Sequence, residues 1–180
     1  MTFFVIQVGT GDEERFLRRA RQELESLTSV TSAQTALWWP RRSIRIRRGG
    51  RWRESLASIF PGYLFLQAEG VPPEIYWRFK AIPGFRRFLK DNRNIEPVSP
   101  RDREIIQHFI SFGEVVHRST VVFDEHNRIR VISGPLKGLE GRIVKVDRRK
   151  GRARVKLELY EDSFSIDFGF ESLERAEQRQ

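Results

Sequence analysis

The sequence contains no cysteine, a single methionine and no long uninterrupted apolar segment. The lack of cysteine excludes disulfide bonds and thiolate zinc sites, so the fold does not depend on an oxidising compartment. The opening "MTFFVIQVGTGDEE" has a six-residue, mostly apolar run at 3–8 and no basic segment before it, unlike a secretory signal. No segment approaches the roughly 20 apolar residues that a membrane span needs. We therefore expect a soluble, cytoplasmic protein without a membrane partner.

Positive charge, by contrast, is abundant. Thirty-three Lys and Arg against 24 Asp and Glu give a formal net charge of +9. Such an imbalance favours a polyanionic partner, most often nucleic acid. The charge is also uneven: residues 128–156 hold 11 basic and two acidic side chains, whereas residues 157–180 hold two and seven.

Strand and helix patterns are mixed over residues 1–110. An apolar run at 3–8 predicts a strand, Thr10 to Glu13 have capping-box spacing, and apolar residues at helical intervals follow from 16 to 27. "SIRIRRGGRWR" (43–53) predicts a hairpin turning at two glycines. Another strand at 62–67, a helix from Pro72 to about Ala81, a strand at 85–89 and a helix capped by Ser99 complete an α+β sandwich.

The remaining residues show a different pattern. Residues 111–122 have no strong periodicity and are interpreted as a linker. From residue 123, short apolar runs broken by Gly and Pro predict a small five-stranded barrel. We therefore predict domains at 1–110 and 123–176, a linker at 111–122 and a tail at 177–180.

The segment "GLEGRIVKVDRRKGRARVKLEL" (138–159) predicts a strongly basic hairpin. After its turn at Lys150-Gly151, apolar residues alternate with charged ones, so one strand face can be buried while the other presents cations. A row of cations suits the backbone of an RNA hairpin. The predicted RNA-binding residues are Lys145, Arg148, Arg149, Lys150, Arg152, Arg154 and Lys156.

A second basic segment is "WWPRRSIRIRRGGRWR" (38–53), with seven Arg and no acid. Arginine forks fit phosphates, and Trp offers a plane for stacking. Its partner is either nucleic acid or an acidic protein surface. The candidate contacts in it are Arg41, Arg42, Arg45 and Arg47.

Several motifs carry a family resemblance. "RIRVISGPLKGLEGRIVKVD" (128–147), with Gly134, Gly138 and Gly141 in its turns, resembles a KOW motif. "FFVIQVGTGDEERF", "IFPGYLFLQ", "AIPGFRRFL" and "PVSPRDREII" are similar to successive segments of NusG-type proteins. Together they cover nearly the whole chain in order. The chain is thus similar to the NusG family and, because its hairpin is so basic, most similar to the LoaP antiterminators within it.

The resemblance implies a fold and a set of partners. The fold would be an N-terminal NGN α/β sandwich joined by a linker to a small C-terminal SH3-like KOW barrel. RNA polymerase would dock in an apolar depression, and non-template DNA would meet the first helix. The implied polymerase contacts are Phe4, Phe60, Tyr63, Phe65, Ile75, Tyr76, Trp77 and Arg78. The implied DNA contacts are Arg15, Arg18 and Arg19, for which a solvated helix face with surface ion pairs is the alternative.

These features predict an antitermination and elongation factor that acts as a monomer and is recruited by a structured leader RNA. Two alternatives in the same family are a general NusG-like factor whose KOW domain binds Rho or a ribosomal protein, and an RfaH-like factor recruited by non-template DNA. No nucleotide-binding loop, nucleophile motif or metal-ligand spacing is present, and the three His are scattered. We expect no enzyme, cofactor or metal. A nuclease is the alternative from another class.

Overall fold

The computed structural model describes residues 2–27 and 35–173. The helices in these residues are α1 (Glu13–Ser26), α2 (Pro73–Lys80) and α3 (Pro100–Ile110), with a short 3₁₀ turn at Glu140–Arg142. The strands are β1 (Thr2–Val8), β2 (Ala36–Trp38), β3 (Arg41–Arg48), β4 (Arg51–Ser58), β5 (Tyr63–Ala68), β6 (Phe85–Phe88), β7 (Val115–Val116), β8 (Ser119–Phe123), β9 (Ile129–Ser133), β10 (Ile143–Asp147), β11 (Arg152–Leu159) and β12 (Asp162–Ser172). None of the helices described is long and apolar enough to cross a bilayer.

Packing divides the chain into two compact units. The first comprises Met1–Pro40 and Phe60–Gln107, and the second Arg41–Ile59 and His108–Gln180. The β3–β4 hairpin therefore packs with the C-terminal part of the chain, although the sequence patterns predicted it to belong to the N-terminal domain at 1–110. The domain boundaries at 110 and 123 stay a prediction.

The first unit contains a four-stranded sheet with α1 and α2 packed against one face. The strand order is β2-β5-β1-β6, and β1 runs antiparallel to both of its neighbours. Alternate residues of β1 and β5 form one core cluster with the apolar side chains of α1 and α2. Within it the Phe16 and Phe79 rings meet edge to face at 5.8 Å. The strands and helices predicted for this unit are confirmed, and Ser99 Oγ accepts the Asp102 N–H (3.1 Å) at the start of α3.

The predicted capping box at Thr10 to Glu13 is wrong. Helix α1 begins at Glu13, and its N-cap residue Asp12 makes no side-chain cap hydrogen bond. The buried Glu13 carboxylate instead accepts the backbone N–H groups of Gly11 (2.7 Å) and Gly62 (2.8 Å). It therefore ties the start of α1 to the turn before β5, because a buried carboxylate requires hydrogen-bond donors.

The second unit contains a five-stranded sheet of order β10-β11-β12-β8-β9, as the sequence predicts for the barrel. A smaller sheet of order β4-β3-β7 belongs to the same unit. The predicted hairpin is confirmed and is longer than expected, with cross-strand pairs from Arg41↔Ser58 to Arg48↔Arg51. Gly49 and Gly50 both have positive φ, at 57° and 76°, which is what a two-residue hairpin turn matching the strand twist requires.

The predicted linker at 111–122 contains strand structure. Strand β7 pairs in parallel with the start of β3, and β8 pairs with β12 and β9. Strand β7 has only two residues, and the partners β3 of β7 and β12 of β8 lie far away along the chain, so local periodicity does not reveal these pairings.

Candidate nucleic-acid interface

Strand β11 separates apolar from charged side chains as the sequence predicts. Its four apolar residues at alternate positions, Ala153 to Leu159, are at most 1 % exposed. Arg154 and Lys156 alternate with them and are exposed. Because strand side chains alternate between faces, the buried set anchors the strand and leaves the cations outward.

The strand register adds a third cation to that outer face. Lys145 of β10 lies directly opposite Arg154 of β11, and directly opposed residues share a face. Lys156 follows two positions later, about 6.6–6.8 Å along the strand. Lys145, Arg154 and Lys156 therefore form an exposed basic row across two strands.

The turn between β10 and β11 carries three more exposed cations, Arg148, Arg149 and Lys150. The Arg148 guanidinium lies 3.8 Å from the Phe123 ring centroid and donates to Asn127 Oδ1 (2.7 Å). These contacts hold the Arg148 side chain in place. Within residues 2–27 and 35–173, Arg149 makes no ion pair.

Arg154 is partly neutralised by Asp167 on the adjacent strand β12. Its Nε and second guanidinium nitrogen donate to the two carboxylate oxygens at 2.7 and 3.2 Å. The hydrogen bond from Arg154 holds the pKa of Asp167 below its ordinary value, against the opposing effect of burial, and the charges of Arg152 and Arg42 lower it further. Arg154 thus offers less free positive charge than Lys145 or Lys156.

Arg152 has an environment different from that of the other six predicted RNA-binding residues. Its guanidinium donates to the backbone oxygen of Arg45 in the β3–β4 hairpin. Its Nε is buried and has no hydrogen-bond partner among the described residues. Arg152 therefore points toward the hairpin and does not belong to the exposed basic row, although the sequence pattern predicted it to be an RNA-binding residue.

Replacement of Asp167 by Asn should lower the free energy of unfolding by about 1 kcal/mol at pH 7, because Arg154 and Arg42 lose a carboxylate. The folded-state pKa of Asp167 is depressed, so its stabilisation is present above the unfolded pKa, ordinarily 3.8, and is lost as the pH falls through the lower folded value. Urea unfolding at pH 7 and at pH 2.5 should show the difference shrinking in acid. The exposed Glu161→Gln variant is the control, and an equal loss in it would contradict this role.

The four candidate arginines of the β3–β4 hairpin fall into two pairs. Arg42 is largely buried, which lowers its pKa to about 10, and it donates to the backbone oxygens of Asp167 and Ser58. Arg41 lies 3.5 Å from Glu114. Arg45 and Arg47 are exposed. The guanidinium groups of the first pair are held by protein groups. In the second pair Arg47 Nε donates to the Gly50 backbone oxygen (3.4 Å), but both side chains remain exposed.

The three arginines of α1 lie on its exposed side. Arg18 and Arg19 are exposed, and Arg15 pairs with Asp12 at 2.6 Å. Their contact with non-template DNA stays a prediction.

The aromatic residues assigned to a polymerase-binding depression are buried. Phe4, Phe60, Tyr63 and Phe65 are 5, 0, 8 and 0 % exposed. Phe60 and Phe65 meet edge to face at 5.5 Å. These side chains belong to the core, where large apolar residues are most often found, and they expose almost no surface to a partner. Their role in polymerase binding stays a prediction.

Helix α2 offers more accessible surface. Ile75 is buried at 1 %, whereas Trp77 is 61 % exposed beneath the Lys80 ammonium, 4.8 Å from its ring centroid. Arg78 pairs with Glu23 of α1 at 2.6 Å, and an open groove of about 480 Å³ lies there between the two helices. Tyr76 is half-buried and packs in T-shaped geometry on Trp77. Of the predicted polymerase contacts, Trp77 and Arg78 are the most exposed.

The three predicted turn glycines are not equivalent. Gly134 (φ 94°) and Gly138 (φ 84°) have left-handed backbone, whereas Gly141 does not. A Cβ on Gly134 would lie 2.7 Å from Ser119 Cα, but one on Gly138 or Gly141 would meet nothing within 4 Å. Of these three glycines, only Gly134 has both a left-handed backbone and a neighbouring atom that leaves no room for a Cβ.

No group of three or more His, Asp or Glu side chains in the described part of the chain could hold a metal ion. His108 Nε2 lies 2.7 Å from the Pro135 carbonyl oxygen, and the ring packs edge to face on Phe109. This histidine therefore has structural contacts that account for its position.

Comparison with known proteins identifies the family. The profile described as "Transcription termination factor nusG" matches residues 1–107, and the KOW motif matches residues 127–158. The chain belongs to the NusG family. This confirms the predicted fold class, an NGN domain followed by a KOW domain, and makes the chain a NusG-type transcription termination/antitermination factor.

Relatives across the NusG family cover almost the full length. The chain is 20 % identical to the transcription termination/antitermination protein NusG of Thermus thermophilus, over 97 % of this chain and 98 % of that protein. Identity to the NusG of Xylella fastidiosa is 26 % (97 and 98 %), and to that of Escherichia coli K12 it is 23 % (97 and 96 %). A solved structure described as "Domain interaction in Thermotoga maritima NusG" shares the fold, with a TM-score of 0.57 at 20 % identity over 93 % of each chain. These relatives are general NusG proteins and do not single out a LoaP-type chain.

Sequence reasoning about this NusG-family chain missed three partners of the basic hairpin. Asp167, Phe123 and Asn127 contact Arg154 or Arg148 from strands and turns that are 13 to 25 residues away. Strand alternation places Asp167 outward, but only the β11–β12 register sets it opposite Arg154. The stacking of Arg148 on Phe123 has no sequence signal.

Proposed function

We propose that this chain is an antitermination and elongation factor of the LoaP type. The NGN domain binds transcribing RNA polymerase and suppresses pausing and termination, while the basic hairpin of the KOW domain captures a structured leader RNA. Operon choice then follows from the RNA. The protein acts through binding and conformational bias, without bond chemistry.

The exposed basic row and turn support RNA as the ligand. Lys145, Lys156 and Arg149 are exposed and make no ion pair with any described residue, while Arg148 and Lys150 flank them. Cations spaced along a strand can each neutralise a phosphate and release counterions. Duplex RNA is recognised mainly through its backbone shape and 2′-hydroxyl groups, which suits such a row.

The polymerase assignment is supported by family membership, since the profile covers the whole first unit up to residue 107. The exposed Trp77 and Arg78 on α2 provide an aromatic and a charged group for a protein contact. Such residues are enriched among those that dominate protein interfaces.

Titration of the full chain against a structured leader RNA from its own host tests the proposal. Binding should be at least tenfold tighter than to an unrelated stem-loop of equal length, and transcription past a terminator should rise only when the leader is present. Equal affinity for both RNAs would reject specific recruitment.

A second candidate is a general NusG-like factor whose KOW barrel binds Rho or a ribosomal protein. The observation that favours it is exposed apolar surface on barrel strands, where Ile132 is 45 % and Val144 60 % exposed. In that case purified Rho or ribosomal protein should bind the full chain, Val144→Asp should abolish that binding, and substitutions in the basic row should leave it unchanged.

A further inference from the structure

The outer face of the β3–β4 hairpin combines an exposed aromatic plane with arginines. The register places Arg47 opposite Trp52, and Arg45 opposite Glu54. Opposed residues share a face, so these four side chains lie together. Trp52 is 50 % exposed, and Leu56 beyond it on the same face is 52 % exposed. Half of the indole surface is therefore open to a ligand beside the cations.

Little negative charge compensates the arginines of this face. Residues 41–53 contain seven Arg and no acid, and the register places three of them, Arg41, Arg45 and Arg47, on the Trp52 face. The first acidic residue, Glu54, has its carboxylate engaged by Arg118 at 2.6 Å. Among the ion pairs of the described residues, none involves Arg45 or Arg47. The face is therefore complementary to a polyanion.

An indole beside guanidinium groups suits a strand with unpaired bases. Each unpaired base can stack its flat face on the indole while neighbouring phosphates meet the arginines, whereas a duplex hides those base faces. An acidic protein surface is the other class of partner for this face, because Trp and Arg are also enriched at protein interfaces. An unpaired RNA tail that adds no affinity in the test below would favour that alternative.

The hairpin is anchored to the strands that carry the KOW basic row. Arg152 of β11 donates to the Arg45 backbone oxygen, and Arg42 of β3 donates to the Asp167 backbone oxygen (2.7 Å) of β12. Both basic segments therefore belong to one packed unit. We propose that the Arg45–Arg47–Trp52 face holds a single-stranded RNA segment next to the stem bound by the KOW hairpin, which rests on the proposed function for the RNA ligand.

Fluorescence anisotropy of the full chain with three labelled RNAs tests this inference: a leader stem-loop, the same stem-loop with an unpaired tail, and the tail alone. The tail should tighten wild-type binding by about tenfold, the order expected for stacking one base. Trp52→Ala should abolish this gain, and Trp52→Phe should keep most of it because a stacking plane remains. Trp77→Ala, which removes another exposed indole, should keep the whole gain.

The outcomes distinguish the stacking face from the proposed recruitment by leader RNA. A tail that adds no affinity, or a Trp52→Ala variant that keeps the gain, would overturn the stacking face. A single-stranded DNA tail that contributes as much as RNA would overturn the assignment to RNA. If the stem-loop alone shows no specific binding but the isolated tail still needs Trp52, the leader-recruitment proposal fails while the stacking face stands.

Discussion

Reversing the charge of Lys145, Arg149 and Lys156 together, each to Glu, should weaken binding of structured leader RNA by about 100-fold or more at 0.1 M salt. The three side chains are exposed, so the exchange should not disturb the buried face of β11. Each lost phosphate contact also removes counterion release, and the slope of log affinity against log salt should become shallower by about 2 to 3. Titrations at several salt concentrations give both quantities.

A matched control carries the same charge change elsewhere. Arg86, Lys90 and Arg93 are exposed in the first unit, and their joint replacement by Glu lowers the net charge equally. That variant should lose only a few-fold through the overall charge of the protein. Similar losses in the two triple variants would mean that net charge, and no particular surface, accounts for the affinity.

Replacing Gly134 by Ala should destabilise the second unit by about 3 kcal/mol. The added Cβ would lie 2.7 Å from Ser119 Cα and 2.9 Å from Ser119 Oγ, which accepts the buried Leu136 N–H (2.9 Å). The left-handed backbone (φ 94°) adds about 1–2 kcal/mol, and forcing the overlap apart adds a similar amount. Urea unfolding monitored by circular dichroism measures the loss.

Gly138→Ala separates the two causes. Gly138 has almost the same φ, 84°, but a Cβ there meets nothing within 4 Å. Its replacement should cost only the backbone part, about 1–2 kcal/mol. If both variants lost the same stability, the close approach of Gly134 to Ser119 would have no energetic role.

Local patterns were reliable where neighbours along the chain decide the outcome. The alternation in β11, the Gly49-Gly50 turn and the Ser99 cap depend on a few adjacent residues, and the structure has all three. The capping box failed because Glu13 has a distant partner, the backbone N–H of Gly62, which no local rule includes.

The aromatic residues show the opposite situation. The motif "IFPGYLFLQ" identifies Phe60 and Phe65 as part of a segment typical of the family, but the exposure of each ring depends on what packs against it. Likewise the seven basic residues of 145–156 all carry a positive charge, and the sequence does not distinguish their environments. In the structure Arg152 contacts the hairpin, Arg154 pairs with Asp167, and Lys156 is exposed to solvent.

By itself, the amino-acid order determined the mixed α/β first half, the all-β second half and the excess of cations, because these follow from periodicity and composition. Only tertiary structure decided which cations remain available and that the hairpin at 41–58 packs with the barrel strands. The reason is that ion pairs, burial and strand register join residues far apart in the chain, and their geometry exists only after the chain has folded.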